Sequence, residues 1–315
     1  MFVSSLRGFQ PQTVGIVFIF TLLFRMLGFW LIGSSFFAEA NDFRVLVFVD
    51  NLWISALLSA LLVAIGSIWF SHISNTHDLL NRQSSIPAFV AMLALSSVPS
   101  SLVFSNTLLF MLAIVWLVNR TLNFGQMSNL NKEAFNISFF IGIVSIIQSE
   151  FYLLVLWVWI ASIYLNSPKI RFFIISLLAL VLPLFLFYSI HFIVYGWLEI
   201  KNPFEQFTIS VPTPHSWAFV PFVLLALALS SSYATAIRVN TVRVRSAYIL
   251  FLWLLPFVLA YLGGNANSKH IAVLLLWVPT AMATANYLYY TKSNMKTNVV
   301  LLLWFLSAIS AWFIL

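Results

Sequence analysis

Long apolar blocks alternate with short polar links along the whole chain. Eleven blocks are legible, at 13–34, 51–71, 86–100, 104–119, 134–149, 152–166, 171–195, 216–237, 246–262, 271–290 and 298–315. Each is long enough, or nearly so, to cross about 30 Å of hydrocarbon at about 1.5 Å per residue. Backbone polar groups in lipid must satisfy one another within the segment, so the blocks predict helices. The pattern therefore predicts an all-α, polytopic transmembrane protein with about 11 spans. No linker, composition shift or fixed-period repeat divides it, so residues 1–315 read as a single integral membrane domain.

The links differ in charge according to their parity. With the amino terminus placed in the cytoplasm, eleven of the fifteen bases fall in cytoplasmic links: Arg7, Arg82, Arg120, Lys132, Lys169, Arg171, Arg238, Arg243, Arg245, Lys292 and Lys296. Arg44, Lys201 and Lys269 face outward, and Arg25 lies inside the first block. Six of the eight acids, Glu39, Asp42, Asp50, Glu150, Glu199 and Glu205, also face outward, leaving Asp78 and Glu133 inside. Short loops of a membrane protein sort their bases this way. The opposite orientation would invert the bias, so a multi-pass protein of a bacterial inner membrane is expected.

Composition narrows the function classes. At 62% hydrophobic and 7% charged, with a mean hydropathy of +1.01, the chain is far from a soluble domain, whose charged fraction is about a quarter. The net charge of +7 is spread over many links and forms no basic stripe with interleaved aromatics, so lipid headgroups rather than nucleic acid are its expected partners. With no cysteine, thiolate metal sites and a cysteine nucleophile are excluded. The five histidines are scattered, and no metal site is predicted from them. Aromatic residues make up 17% of the chain and fit interfacial belts and packing.

Candidate chemistry gathers at the outward face. Glu39 and Asp42 are three residues apart, so in a helical link both carboxylates share one face, where either could take a proton from an acceptor hydroxyl. Solvated loop charges are the other reading. Asp50 precedes the second block and suits an N-cap. Arg25 lies within hydrocarbon, where an unpaired cation costs about 2.5–3.5 kcal/mol on insertion scales, so it needs a partner or a wet cavity. A lipid phosphate is one such partner, and a backbone carbonyl or tyrosine is another. Thr21 and Gly28 share its face and leave room for close approach.

Glu150, beside Gln148, stands at an outer helix end and could serve donor binding or act as a general acid. Arg44, Lys201, Lys269 and His270 are the outward groups best placed to neutralise a pyrophosphate. The run Gly263–Lys269 reads as a short flexible loop or as backbone amides approaching that anion. Blocks three and four are short and meet at Ser96-Ser97-Val98-Pro99-Ser100-Ser101, which predicts a tight outward hairpin. No cofactor is indicated by these residues.

Landmarks along the whole chain resemble an uncharacterised family of eleven-span inner-membrane proteins of the Bacteroidota. They are Pro11, Pro99-Ser100-Ser101, Asn119-Arg120, Lys132 to Ile137, Arg171 to Ile174, and Pro279 followed by Ala285-Asn286-Tyr287. These mark turns and packing and carry no catalytic signature. More distantly, the cytoplasmic start, the acids of the first outward link, the small-residue hairpin at Pro99 and the Arg120-ended fourth block resemble the GT-C membrane glycosyltransferases. That resemblance implies a polyprenyl-phosphate-linked sugar as donor. It also implies a first-loop acid as general base or ligand of a divalent metal, a role that falls by position on Glu39 and Asp42. The implied activity is extracytoplasmic glycosyl transfer in surface glycan or glycoprotein assembly. A non-enzymatic membrane subunit, or a transporter for lipid-linked or hydrophobic cargo, is the alternative.

Overall fold

The computed structural model describes residues 6–32, 51–96, 101–127, 129–196, 234, 236–238, 241–262, 266–291 and 293–313. Among them the regular structure is helical: α1 Pro11–Ile32, α2 Leu52–Thr76, α3 Ile86–Ser96, α4 Asn106–Leu122, α5 Leu130–Ile147, α6 Leu154–Leu165, α7 Ile170–Tyr195, α8 Val242–Leu252, α9 Leu255–Leu262, α10 Ala266–Tyr290 and α11 Asn294–Phe313. Six described stretches are long and apolar enough to cross a membrane: Pro11–Ile32, Leu52–Thr76, Leu108–Gln126, Leu130–Ile147, Ile170–Val194 and Val242–Tyr261. The block at 216–237 lies almost wholly outside the described residues.

Helix boundaries depart from the block pattern where local chemistry overrides hydropathy. The N-cap of α2 is Asn51, whose Oδ1 accepts from Trp53 N at 3.0 Å, in place of the expected Asp50. The apolar run 246–262 is interrupted between Leu252 and Leu255. Pro256 has no N–H to return to the preceding turn, and it sits in the first turn of α9, where that loss costs nothing. Helix α7 keeps its course through Pro183 and stops at Gly196, which takes the left-handed conformation (φ 72°) that a C-cap favours. In the link after α2, Asp78 and Asn81 take positive φ, as short polar side chains tolerate.

The chain forms two compact units. Unit 1 comprises Met1–Val115, Pro212–Tyr248 and Val273–Leu315, and unit 2 comprises Trp116–Val211 and Ile249–Ala272. In unit 1, α1, α2, α3 and α11 pack together. Phe305 of α11 meets Phe20 and Phe24 of α1 and Phe89 of α3, with ring centroids 5.5–6.2 Å apart. Every residue of α3 is buried, so this helix presents no face to lipid. At 11 residues it reaches about 16 Å, roughly half the hydrocarbon thickness.

One end of unit 1 is tied by links distant in sequence. Ser85 N and Ser84 Oγ donate to Leu6 O at 3.0 and 3.1 Å, and Arg7 Nη2 donates to Thr291 O at 2.9 Å. Tyr290 OH donates to Leu80 O at 3.1 Å, and Tyr248 OH donates to Leu79 O at 3.2 Å. Arg243 Nη2 donates to His77 Nδ1 at 3.1 Å. The links that carry Arg7, Arg82, Arg243 and Lys292 on either side of these contacts are ones the charge pattern assigns to a common face.

Unit 2 is built on the parallel pair α5 and α7, whose contacts advance together along both helices. Their crossing is close because Gly142 of α5 backs onto Leu180 and Pro183 of α7. Ser138 Oγ and Ser176 Oγ join the same helices at 2.6 Å, and Trp159 Nε1 of α6 donates to Ser176 Oγ at 2.9 Å. Arg120 pairs with Glu133 at 3.9 Å across the α4–α5 link and lies 5.5 Å from the Trp116 ring centroid. The outer surface of α7 exposes Leu178, Phe185, Ile190 and Ile193, which suits contact with lipid and would be a liability in water.

Candidate functional site

The only strongly polar constellation that the described side chains assemble at membrane depth surrounds Arg25. Residue 25 lies seven positions before the end of α1, about 10 Å in from Ile32, and Ser59 lies equally deep in α2, seven positions after Leu52. Thr21, Arg25 and Gly28 all fall on the buried side of α1, as their spacing predicts. The guanidinium is 1% exposed. It has no carboxylate partner among the described residues, whose one ion pair is Arg120 with Glu133.

Neutral oxygens take its place. Arg25 Nη2 donates to Ser59 Oγ at 2.7 Å and to the carbonyl of Ser101. Ser59 Oγ in turn donates to that carbonyl at 2.6 Å. Nη1 makes only longer contacts, 3.3 Å to Ser101 Oγ and 3.4 Å to Ser96 Oγ. Nε has no hydrogen-bond partner. One of the three nitrogens is thus well satisfied, one weakly, and one not at all.

The described end of α3 lies within these contacts. Ser96 is the last described residue of α3, and Ser101 Oγ donates at 2.8 Å to the Leu95 carbonyl. Arg25 therefore reaches that end both directly, through Ser96, and by way of Ser101. At residues 102–104 the backbone is not helical, yet it is bonded: Phe104 N donates to Ser55 Oγ at 2.9 Å, one turn before Ser59 on α2. Irregular backbone at membrane depth survives only when protein groups satisfy it.

Of the other predicted site residues, Glu150 lies in the 3-10 turn Ser149–Leu153, between α5 and α6. Lys269 and His270 lie in the first turns of α10, so the helix begins earlier than the loop expected over 263–269. Side-chain chemistry at these three positions is outside what is described, and Glu39, Asp42, Arg44 and Lys201 lie outside the described residues altogether. Among the described residues no three histidine, aspartate or glutamate side chains converge as metal ligands.

Ser59 had not been singled out from sequence, and Ser96 and Ser101 had been read as a hairpin and not as partners of Arg25. A signal existed in α2, where Ser55, Ser59, Ser67, Ser71 and Ser74 recur at near-helical spacing and all prove buried. Hydroxyls facing inward with Ile54, Leu57 and Ile65 facing outward invert the soluble pattern.

Together the apolar outer surfaces, buried hydroxyls and six membrane-length helices fit a polytopic α-helical membrane protein with a buried arginine in its first membrane-length helix. Set beside known protein families, curated proteins and solved structures, the chain matches none.

Proposed function

We propose that the protein transfers a sugar from a polyprenyl-phosphate-linked donor on the extracytoplasmic face of a bacterial inner membrane, in surface glycan or glycoprotein assembly. The observation that carries this reading is Arg25, a buried cation in a membrane-length helix with donor capacity that its own chain leaves unused. A phosphate is the anion that a guanidinium fork suits best. The eleven-span topology with a cytoplasmic amino terminus, and the likeness to GT-C enzymes, belong to the same proposal.

In the reaction, Glu39 or Asp42 removes the proton of the acceptor hydroxyl while its oxygen bonds to the anomeric carbon. The bond from that carbon to the phosphate oxygen breaks, and its electron pair leaves with the lipid phosphate. Arg25, with Arg44, Lys201, Lys269 and His270 near the surface, stabilises the negative charge gathering there. Glu150 serves the donor side. A divalent metal at the first-link acids would supply the same stabilisation.

One observation favours a second reading. The shortest bonds of Arg25 run to its own chain, which suits a membrane subunit or a transporter of lipid-linked cargo whose arginine is chiefly structural. Mass spectrometry of lipid-linked sugars and surface glycans separates the two, in a deletion strain complemented with wild type, Glu39→Ala or Asp42→Ala at equal membrane abundance. Loss of one sugar with donor accumulation, rescued only by the wild type, is the expected result. Unchanged glycans in the deletion strain would sink the transferase reading.

A further inference from the structure

We infer that the seam between α1 and α11 binds an anionic phospholipid, with Arg7 and Lys296 on its phosphate and the outer faces of the two helices along its acyl chains. The inference stands apart from the transferase reading and uses none of its residues.

The two helices run parallel and in register. Arg7, which precedes α1, reaches Thr291, which precedes α11, and farther along Phe305 of α11 meets Phe20 and Phe24 of α1. Val299, Leu302 and Leu306 of α11 then lie level with Ile16, Ile19 and Leu23 of α1, and all six are exposed. Ile16 and Leu23 stand one turn either side of Phe20, and Leu302 stands one turn before Phe305, so both apolar stripes border the seam. Lipid chains cover such stripes on any membrane helix. What sets this pair apart is the charge at its end.

Arg7 spans the mouth of the seam, where its Nη2 donates to Thr291 O at 2.9 Å. That bond engages one of the five N–H groups of an exposed guanidinium. Lys296 is exposed in the first turn of α11. Arg82 follows Asn81, whose Nδ2 donates to Tyr290 OH at 3.0 Å, and so adds a third cation at this end. Asp78 is the described acid of the same link, and it pairs with none of the three, since the one ion pair among the described residues joins Arg120 to Glu133. Charge sorting across a membrane asks only that each link carry its bases. Here three links distant in sequence are drawn together, by Ser85 N on Leu6 O at 3.0 Å and Tyr290 OH on Leu80 O at 3.1 Å as well as by Arg7.

Depth selects a lipid among the possible anions. The membrane-length helix α1 starts at Pro11, which sets Arg7 just outside the hydrocarbon, at the level of headgroup phosphates. A free phosphate would use the cations and leave the stripes unused.

The test uses the full chain in nanodiscs of equal parts dioleoyl phosphatidylglycerol and dioleoyl phosphatidylcholine, which differ only in headgroup. One lipid at a time carries a diazirine in its acyl chain, and crosslinks are mapped by mass spectrometry. Phosphatidylglycerol should crosslink to 16–23 and 299–306 in preference to phosphatidylcholine. Arg7→Gln and Lys296→Gln should each lower that preference about fivefold, the effect of one base at an anionic surface. Lys132→Gln combined with Lys169→Gln removes two charges from unit 2 and should leave it unchanged.

Equal crosslinking by the two lipids would overturn the inference and leave the cations to an acidic protein. An equal loss in the Lys132→Gln, Lys169→Gln variant would overturn it too, because net charge and not a site would then set the preference. Displacement by excess glycerol 3-phosphate would assign the cations to a free phosphate and count against a lipid site. Should Arg7→Gln not fold without its bond to Thr291, Lys296→Gln decides.

Discussion

Asn75 shows how much a single buried amide can hold in this protein. Its Oδ1 accepts from Ser84 N at 2.9 Å and its Nδ2 donates to Ser84 O at 3.2 Å, fastening the end of α2 to the start of the α3 segment. Ser71 Oγ also donates to that carbonyl, at 2.8 Å, but nothing else replaces the bond to Ser84 N. Asn75→Ala should therefore destabilise unit 1 by about 1–3 kcal/mol, the cost of leaving a buried donor unmade. Thermal unfolding in detergent reads the effect as a lowered midpoint, whereas an unchanged midpoint would mean that water reaches Ser84. Residues like Asn75 and Ser59 are poorly legible in sequence because a neutral polar side chain inside an apolar block has many ways to be satisfied. Arg25 is legible for the opposite reason: few arrangements tolerate a cation there, so its presence already requires a partner, and only the identity of that partner awaits the fold.

At the scale of elements, two buried glycines separate packing against backbone from packing against a flexible side chain. A Cβ at Gly142 would lie 2.5 Å from the Leu180 carbonyl oxygen and 2.9 Å from Pro183 Cγ, atoms fixed by α7 itself. A Cβ at Gly66 would also approach within 2.5 Å of an atom, but that atom is Met111 Cε, the free end of an unbranched side chain. Gly142→Ala should cost about 1–3 kcal/mol by forcing α5 and α7 apart, and Gly66→Ala distinctly less. Comparing the two variants by unfolding in the same detergent checks this, and a larger loss at Gly66 would contradict the α5–α7 packing. The apolar blocks made nearly all of these helices visible, since hydropathy is what lipid selects. The shortness of the third block was visible, whereas the bonds that Arg25 and Ser101 bring to Ser96 and Leu95 were not, because they come from elsewhere in the chain. The split at Pro256 is local, and the block pattern ran 246–262 through it because hydropathy does not register a missing N–H.

For the whole molecule, charge and hydrogen bonding bear on the same question from independent directions. The bases predict a cytoplasmic side for the links around Arg82, Arg243 and Lys292 by a rule about translocation, which knows nothing of contacts. The bonds from Leu80 to Tyr290, Leu79 to Tyr248 and His77 to Arg243 join residues beside those same links at one end of unit 1. Because the chain has no cysteine, single-cysteine variants need no prior engineering to map this. Gln83→Cys, Thr241→Cys and Ser293→Cys, all at exposed positions, should react with a membrane-impermeant thiol reagent only after the membrane is opened. Lys201→Cys, assigned to the opposite face by parity, should react in intact cells. Reversal of all four would turn the protein over and move Glu39 and Asp42 into the cytoplasm, where extracytoplasmic transfer from a lipid-linked donor has no place. Labelling of Gln83→Cys and Ser293→Cys from opposite sides would instead break the packing of unit 1, because Asn81 Nδ2 and Tyr290 OH, 3.0 Å apart, cannot then share an end.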